Sequence, residues 1–503
     1  MRILLTTLNS KYTHTNLALK YLYCILINSN IDVKLEEYTI NNDRDFVYNE
    51  IIRGGYDLVC FSCYIWNIEK IKELCSNLKK ARPGMKFLLG GPEVSYEAEN
   101  FIKKNPWADF IIRGEGEKPF SQFMGEYLSE RPDYTKVDAI TFRKGKSVVS
   151  TERGSLPPMD SLPFPYTYLE VESDKIIYYE STRGCPFRCA YCISSLNGGV
   201  RAVSLNRLRR DIAYLVYKGV KQVKFIDRTF NYDKKRANSF WQYLIDKDNG
   251  TTNFHFEICG DMLDEETFKI LSKARKGLFQ FEIGVQSVNP YTLKEINRNN
   301  TTDAVLTNVK RLVEIDNVDV HVDLIAGLPY EDYTSFGLSF DRVYNVKPGQ
   351  FQMGFLKLLK GTKLRSIAEE HGYRYREKAP YEIISNKYIS ALDLVKLKMV
   401  ETVLELFYNR GGFKSTLDFL MEELSMRPFD FYQRLADFYY RNEYHMVSHK
   451  KEDMYRIMYK FAKTFEYNHM GLMDRVENFM TLDVLETLNP EIAKRFMNKG
   501  WEF

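Results

Sequence analysis

Three cysteines near the middle of the chain are the residues best suited to chemistry. Cys185, Cys189 and Cys192 follow a C-x3-C-x2-C spacing that begins two residues after Arg183. Soft thiolates are the ligands that iron–sulfur clusters select. No fourth cysteine lies nearby in the sequence, so a four-iron cluster would keep one iron open, as catalytic zinc sites keep an open position. An open iron can bind a substrate as well as carry electrons.

The spacing also leaves two alternatives to a cluster. The three thiols could be unrelated buried residues, or they could form part of a zinc site. Structural zinc sites take four protein ligands and usually combine C-x2-C with a second such pair. Cys60 and Cys63 have that spacing, but they lie in an apolar run typical of a buried strand and have no second pair. We predict a structural role for both.

The motif resembles that of the radical S-adenosylmethionine (SAM) superfamily, including the aromatic Tyr191 directly before the third cysteine. The resemblance implies that Cys185, Cys189 and Cys192 are the catalytic metal ligands of a [4Fe–4S] cluster. It also implies that SAM chelates the open iron through its amino and carboxylate groups. Reductive cleavage of SAM to a 5′-deoxyadenosyl radical would then follow.

The chain before the cysteines alternates short apolar runs with helical patterns over residues 1–130. This order predicts a parallel sheet with helices on both faces, whose ligands bind at the carboxyl ends of the strands. The predicted strands span residues 1–7, 33–38, 58–62, 86–89 and 110–113.

Loops at the ends of these strands have the composition of a ligand site. The loop after the fourth strand begins Gly-Gly-Pro-Glu, and the loop after the fifth reads Gly-Glu-Gly-Glu. These loops resemble the cobalamin-binding domain that precedes many radical SAM cores, although the D-x-H-x-x-G motif of other cobalamin proteins is absent. We therefore expect His14 to contact cobalamin through a hydrogen bond and not as an axial ligand. The resemblance implies cobalamin contacts from Asn9, Tyr12, His14, Ser62, Tyr64, Gly90, Gly91, Pro92, Glu93, Gly114, Glu115 and Gly116.

A second alternating region follows a stretch with four prolines at residues 156–165, which predicts a stiff linker. Its predicted strands span residues 176–181, 222–227, 253–259, 280–285, 318–326 and 350–359. They resemble the partial (β/α)6 barrel of the superfamily, and sites in such barrels gather at the C-terminal strand ends. Helix capping is the alternative role for polar residues there. The resemblance implies SAM contacts from Tyr191, Asp227, Glu257, Glu282, Gln286 and Ser287.

The last part of the chain repeats apolar side chains at helical spacing. We expect a helical region that closes over the barrel and selects the substrate. The predicted chain is thus of the α/β class in four parts: a doubly wound, Rossmann-like cobalamin domain (1–150), a linker (151–170), a radical SAM partial barrel (171–360) and a helical C-terminal domain (361–503).

The composition excludes several classes of protein. The 71 basic and 67 acidic residues nearly balance, which argues against a dedicated nucleic-acid binder. No apolar stretch approaches the roughly 18 to 20 residues needed to cross a bilayer, and the first residues predict a strand and not a signal peptide. Eight cysteines in 503 residues are too few for a disulfide framework. We expect a cytoplasmic protein with no membrane or nucleic-acid partner.

The resemblance as a whole implies a cobalamin-dependent radical SAM methyltransferase of the class B type. It would transfer a methyl group to an unactivated carbon of an unknown substrate under anaerobic conditions, with a reducing partner such as flavodoxin or ferredoxin. Two alternatives remain open: a non-methylating radical cyclisation or oxidation, and a binding protein that senses cobalamin or redox state.

Overall fold

The computed structural model describes residues 1–501 except 28, 30, 173, 197, 299, 300 and 500. Two α/β units are followed by a helical region, which confirms the predicted fold class.

The first unit is a seven-stranded sheet in the order β2-β1-β3-β4-β5-β6-β7. Strands β1 to β5 are parallel and confirm the five predicted strands, whereas the antiparallel hairpin β6–β7 was not predicted. The strands are β1 Arg2–Asn9, β2 Asp32–Thr39, β3 Leu58–Ser62, β4 Lys86–Gly90, β5 Phe110–Ile112, β6 Ile140–Lys144 and β7 Ser147–Ser150. The helices are α1 Leu17–Leu26, α2 Arg44–Gly54, α3 Ile68–Ala81, α4 Pro92–Ser95, α5 Ala98–Lys104 and α6 Glu117–Tyr127.

Side chains of the central strands alternate between two cores. Leu5 and Cys60 pack on the side of α1 and α6, while Leu4 and Phe61 pack on the side of α2 and α3. Burial on both faces explains why these strands read as continuous apolar runs. The strand order reverses between β1 and β3, and ligands of such sheets bind beyond the strand ends near that point.

The second unit is an open sheet of six parallel strands in the order β15-β14-β13-β12-β11-β8. It confirms the six predicted strands, and β8 and β15 are its two edges. A short antiparallel ribbon, β9 with β10, encloses the cysteine motif. The strands are β8 Ile177–Tyr179, β9 Thr182–Gly184, β10 Val200–Ala202, β11 Gln222–Phe225, β12 Asn253–Ile258, β13 Phe279–Gln286, β14 Val318–Ala326 and β15 Gln350–Phe355. The helices are α7 Leu205–Tyr217, α8 Lys234–Asp246, α9 Glu265–Leu271, α10 Pro290–Glu295, α11 Thr302–Ile315, α12 Tyr333–Tyr344 and α13 Lys363–Ser366.

Strands β13 and β14 show how the barrel divides apolar from polar residues. Phe281 and Ile283 are fully buried under the helices, whereas Glu282 and Asp323 lie on the opposite face of the sheet and are less buried. Alternation along each strand therefore produces a polar interior that opens at the carboxyl ends of the strands.

The C-terminal region is mostly helical, as predicted, and covers one edge of the barrel. A π-helical turn, Glu405–Asn409, continues its first helix. The Asn409 side chain accepts a 2.8 Å hydrogen bond from the Phe351 amide and donates a 2.9 Å bond to its carbonyl, so it pairs with edge strand β15. The elements are β16 Arg374–Tyr375, β17 Ile383–Ser385, α14 Ala391–Leu404, α15 Lys414–Glu423, α16 Pro428–Arg441, α17 Lys451–Lys463, α18 Leu472–Thr487 and α19 Pro490–Lys499.

None of the helices in the described part of the chain combines the length and the apolar character that a bilayer span requires.

Candidate active site

A cavity of about 500 Å³ lies between the first sheet and the barrel. On the sheet side it is lined by loops at the carboxyl ends of β3, β4 and β5. On the barrel side it is lined by Gly184 and Ile193, which flank the cysteine motif, and by Ile226 and Arg228 at the end of β11. Eight of the predicted cobalamin residues lie in its wall: Ser62, Tyr64, Gly90, Gly91, Pro92, Gly114, Glu115 and Gly116.

Gly91 shows why this wall requires glycine. Its φ of 103° lies in a region that other residues rarely adopt. A Cβ atom at Gly91 would also lie 2.5 Å from the carbonyl oxygen of Cys63. The loop after β4 can thus approach the end of β3 only because this side chain is absent.

The cysteine loop leaves β9 and lies at the carboxyl end of the barrel. Cys189 is buried, while Cys185 and Cys192 are partly exposed. The Cys192 amide donates a 3.1 Å hydrogen bond to the Cys189 carbonyl. The sulfur of Cys185 lies 3.4 Å from the hydroxyl of Thr229, which follows β11. The three thiols therefore share one loop beside the cavity.

Three thiolates on one loop are the type of donor that an iron–sulfur cluster takes. In the described residues, no three His, Cys, Asp or Glu side chains converge as ligands of one ion would. Thiolates that bind different irons of a cluster do not have to converge on one ion. Cys60 and Cys63, in contrast, are buried in and directly after β3, and their structural role stays a prediction.

Asp227 holds the start of the cysteine loop. It is fully buried, and its carboxylate accepts hydrogen bonds from the Ser181 amide at 2.9 Å, the Ser181 hydroxyl at 2.5 Å and the Thr182 hydroxyl at 2.6 Å. Burial raises the pKa of Asp227, and these hydrogen bonds oppose the increase. Through these hydrogen bonds Asp227 positions the start of the cysteine loop, and the SAM contact expected from the sequence stays a prediction.

Ser287 has a comparable internal role. Its side chain is fully buried, and its hydroxyl donates a 2.6 Å hydrogen bond to Glu331. It also accepts a hydrogen bond of 3.0 Å from the Asn289 amide. The Ser287 hydroxyl therefore shapes the turn after β13, and the structure does not direct it at the barrel opening.

Glu257 and Glu282 lie side by side on β12 and β13 and face the barrel interior. Glu282 accepts hydrogen bonds from His255 at 3.0 Å and Lys224 at 3.3 Å. Burial raises the pKa of Glu282, but these two partners outweigh it and bring the pKa to about 2. The Glu257 carboxylate lies 3.7 Å from Arg228, and burial raises its pKa. The Glu257 carboxylate is therefore more available to bind a ligand than the Glu282 carboxylate is.

Among the predicted SAM residues, Gln286 has the clearest unused hydrogen-bonding capacity. Its side-chain Oε1 is buried and has no hydrogen-bond partner among the described residues. Its backbone has a φ of 70°, which is unusual outside glycine. Such strained backbone with an unpaired buried acceptor is typical of functional sites.

Asp323 was not identified from the sequence, although it lies in a strand that was. Its Oδ1 atom is buried and has no hydrogen-bond partner in the described part of the chain. Burial, together with the charges of Glu282 and Glu257, raises its pKa to about 8. The alternation of β14, which places Asp323 on the interior face, was the signal that could have found it.

Arg298 was also missed, because it follows α10 in a segment without a regular pattern. Its guanidinium donates hydrogen bonds to the Tyr191 hydroxyl at 3.1 Å and to the Gly284 carbonyl. Burial raises the pKa of the Cys189 thiol, and the charge of Arg298 opposes that increase. Arg298 forms no ion pair with an acidic residue that the structure describes, so it can neutralise an anionic ligand.

The loop after β1 does not reach the cavity. Tyr12 is 67% exposed, and His14 is hydrogen-bonded to the Tyr178 hydroxyl of β8. Asn9 is buried and donates hydrogen bonds to the His14 carbonyl at 3.0 Å and to Glu37 at 2.6 Å. His14 thus joins the first sheet to the barrel edge, and the cobalamin contacts expected of these three residues stay predictions.

Glu93 lies next to the cavity wall but is turned away from it. Its carboxylate accepts a 2.8 Å hydrogen bond from Tyr381 and lies 3.5 Å from the Lys360 ammonium. Because Glu93 is buried among these partners, it anchors the segment after β4, and its expected cobalamin contact stays a prediction.

Three family models match consecutive parts of the chain. Residues 3–124 match the B12 binding domain, and residues 179–342 match the Radical SAM superfamily. Residues 369–502 match a family described as Protein of unknown function (DUF4080).

Two curated relatives are about equally similar. The 2-(S-pantetheinyl)-carbapenam-3-carboxylate methyltransferase of Streptantibioticus cattleyicolor is 25% identical over 306 residues, 56% of this chain and 44% of that protein. The cobalamin-dependent radical SAM methyltransferase TokK of Streptomyces tokunonensis is 25% identical over 301 residues, with the same coverage. The chain spans less than half the length of either relative.

The fold is similar to that of the cobalamin-dependent SAM radical enzyme OxsB, solved with aqua-cobalamin and SAM bound. The two structures align with a TM-score of 0.66 over 99% of this chain and 80% of that chain, at 13% sequence identity. The likeness therefore includes the C-terminal helical region.

Proposed function

Because the chain carries a B12-binding domain followed by a radical SAM superfamily domain, we propose that it is a cobalamin-dependent radical SAM enzyme. The reaction we propose is methyl transfer to an unactivated carbon. One observation carries the proposal: the glycine-rich loops of the first sheet and the residues that flank the cysteine motif line the same cavity. Two cofactors bound on these walls would both reach a substrate held between them.

The residues of the two walls fit the proposed cofactors. Cys185, Cys189 and Cys192 would hold a [4Fe–4S] cluster, and the loops around Ser62, Gly91 and Gly114 would hold cobalamin. With SAM, these groups supply one-electron reduction, a carbon-centred radical and a transferable methyl group. The protein supplies binding, orientation and exclusion of water.

The interior of the barrel suits the polar groups of SAM, which carries an ammonium, a carboxylate and ribose hydroxyls. Arg298 would bind the carboxylate, because a guanidinium pairs well with such an anion. Gln286 and Asp323 would bind hydroxyl or ammonium groups through their unpaired oxygens. Glu257 would act beside them, whereas Glu282 would stay paired with Lys224 and His255.

The two curated relatives described above favour methyl transfer over other radical reactions. The protein from Streptantibioticus cattleyicolor and TokK are both methyltransferases by name. These relatives do not identify the substrate, since the chain covers only part of each of them. We place the protein in the cytoplasm with a flavodoxin or ferredoxin as reductant, because the cysteine ligands must stay reduced.

Anaerobic reconstitution with iron, sulfide and hydroxocobalamin tests the proposal. We expect close to four irons and one cobalamin per chain, and release of deoxyadenosine and S-adenosylhomocysteine when SAM and a reductant are added. Deoxyadenosine alone would favour cyclisation or oxidation, and the absence of SAM cleavage would favour a sensor. Cys189→Ala should abolish cleavage, while Cys75→Ala, in helix α3, should retain it. Full cleavage by the Cys189 variant would overturn the proposal.

A further inference from the structure

The base of the cysteine loop is completed by a residue of the other domain. Arg183 on β9 and Arg201 on β10 lie directly opposite each other in the antiparallel ribbon that encloses the loop. Two like charges in such a position destabilise a strand pair. Glu115, from the loop after β5, bridges them: its Oε2 lies 2.6 Å from Arg183, and its Oε1 contacts Arg201.

Arg183 has further partners on both sides of the boundary. Its Nη1 lies 3.0 Å from Glu117 Oε2, and its Nη2 contacts the other oxygen of the same carboxylate. Its Nε lies 2.9 Å from Glu180, at the end of β8. The forked geometry of a guanidinium permits this set of parallel contacts, which an ammonium would not reproduce.

These charges are largely removed from water. The Arg183 side chain is 11% exposed and that of Glu117 is 10% exposed. A buried charge that loses its partner destabilises the folded protein, because no interaction then compensates for the hydration that the charge has lost. Undocking of the 114–117 loop would leave Arg183 and Arg201 facing each other without Glu115. The ribbon, and with it the spacing of the cysteines, therefore depends on this loop.

The same loop has a second role on its other side. Gly114, Glu115 and Gly116 belong to the wall of the cavity in which we place cobalamin. The loop conformation that lines the cavity is thus the one that presents Glu115 to the ribbon. A ligand that favours this conformation also favours the closed ribbon, and linkage requires the reverse effect to be equally large.

We propose that the Arg183–Glu115–Arg201 bridge couples the two cofactor sites, so that cobalamin binding and cluster binding strengthen each other. This inference rests on the proposed function, since it requires both cofactors. It assigns Glu115 and Arg183 as positioning residues that act between the sites and not on the reacting atoms.

Hydroxocobalamin affinity measures the coupling. Equilibrium titration of the full chain, with and without its reconstituted cluster, should give tighter binding in the cluster-loaded form by about fivefold or more, the usual scale of coupling between sites. Hydroxocobalamin should also slow the release of iron to a chelator. In Glu115→Gln, which keeps the size of the side chain but removes its charge, both effects should become clearly smaller, because Arg183 then keeps only Glu117 as a charged partner across the boundary.

Two comparisons make the test decisive. Arg201→Met should reduce the coupling partially, because the more exposed arginine is lost and Arg183 keeps Glu117. Glu130→Gln removes an exposed negative charge and should leave the coupling unchanged. Equal cobalamin affinities with and without the cluster, or undiminished coupling in Glu115→Gln, would overturn the inference. Failure of the wild-type chain to bind either cofactor would instead overturn the proposed function.

Discussion

The hydroxyl of Tyr381 donates a 2.8 Å hydrogen bond to Glu93, and this contact ties the C-terminal region to the loop after β4. Glu93 directly follows two glycines and a proline that line the cavity. The Lys360 ammonium lies 3.5 Å from the same carboxylate oxygen. The C-terminal region thus supports one wall of the candidate site.

Replacement of Tyr381 by Phe should lower the stability of the chain. A hydrogen bond to a charged acceptor contributes about 1.5 to 3 kcal/mol, and Glu93 would be left with Lys360 alone. Urea unfolding of the wild type and the variant measures the difference. Tyr467→Phe is the matched control, since Tyr467 is 96% exposed. Equal unfolding midpoints for all three proteins would contradict a role for this contact.

Asp227→Asn should reduce cluster retention. Asp227 accepts hydrogen bonds with both carboxylate oxygens, whereas the amide nitrogen of Asn can only donate. Each buried polar group left without a partner destabilises the folded protein by about 1 to 3 kcal/mol. The start of the cysteine loop would lose its anchor, so we expect less iron per chain after reconstitution. Asp246→Asn, on the exposed side of α8, should load iron normally. Normal iron content in the Asp227 variant would show that the anchor is dispensable.

Asp323 should make stability depend on pH. Its folded pKa of about 8 lies above the ordinary value of 3.8, so the folded state holds its proton while the unfolded state ionises. Its contribution to stability is therefore fully present below about pH 4 and is lost as the pH rises to about 8, by up to about 1.4 kcal/mol per pH unit. Urea unfolding of wild type and Asp323→Asn between pH 5 and 8 measures this. The wild type should lose stability relative to the variant as pH rises, and parallel curves would refute the prediction.

Arg298→Met should weaken SAM binding by about tenfold or more, because a hydrogen bond between charged groups contributes about 1.5 to 3 kcal/mol. The measurement is equilibrium binding of SAM to the cluster-loaded protein without reductant. Arg298→Lys keeps the charge and should recover part of the affinity. Lys310→Met, on the exposed surface of α11, controls for loss of a positive charge. Unchanged affinity in Arg298→Met would exclude a role in binding the carboxylate.

Particular elements and residues show what sequence patterns can predict and what they cannot. The eleven predicted strands were found because apolar runs and alternation are local signals. The hairpin β6–β7 was missed, although Gly145 at its turn lies between two short segments that contain apolar residues, Ile140–Lys144 and Ser147–Ser150. Asp227 and Ser287 lie near the predicted strand ends, and the structure adds internal partners that the sequence did not indicate. Their hydroxyl and carboxylate groups are occupied by residues such as Ser181 and Glu331, and no spacing rule reports such pairings.

The sequence by itself determined the order of the units and the position of the cysteine motif, because ligand spacing and hydrophobic periodicity act over a few residues. Only the tertiary structure decided which polar groups face the cavity, since that depends on contacts between distant segments. Glu115 and Arg183 are 68 residues apart and meet across a domain boundary. Burial then determines their roles, because a charge removed from water is stable only with a partner, and folding alone brings that partner within reach.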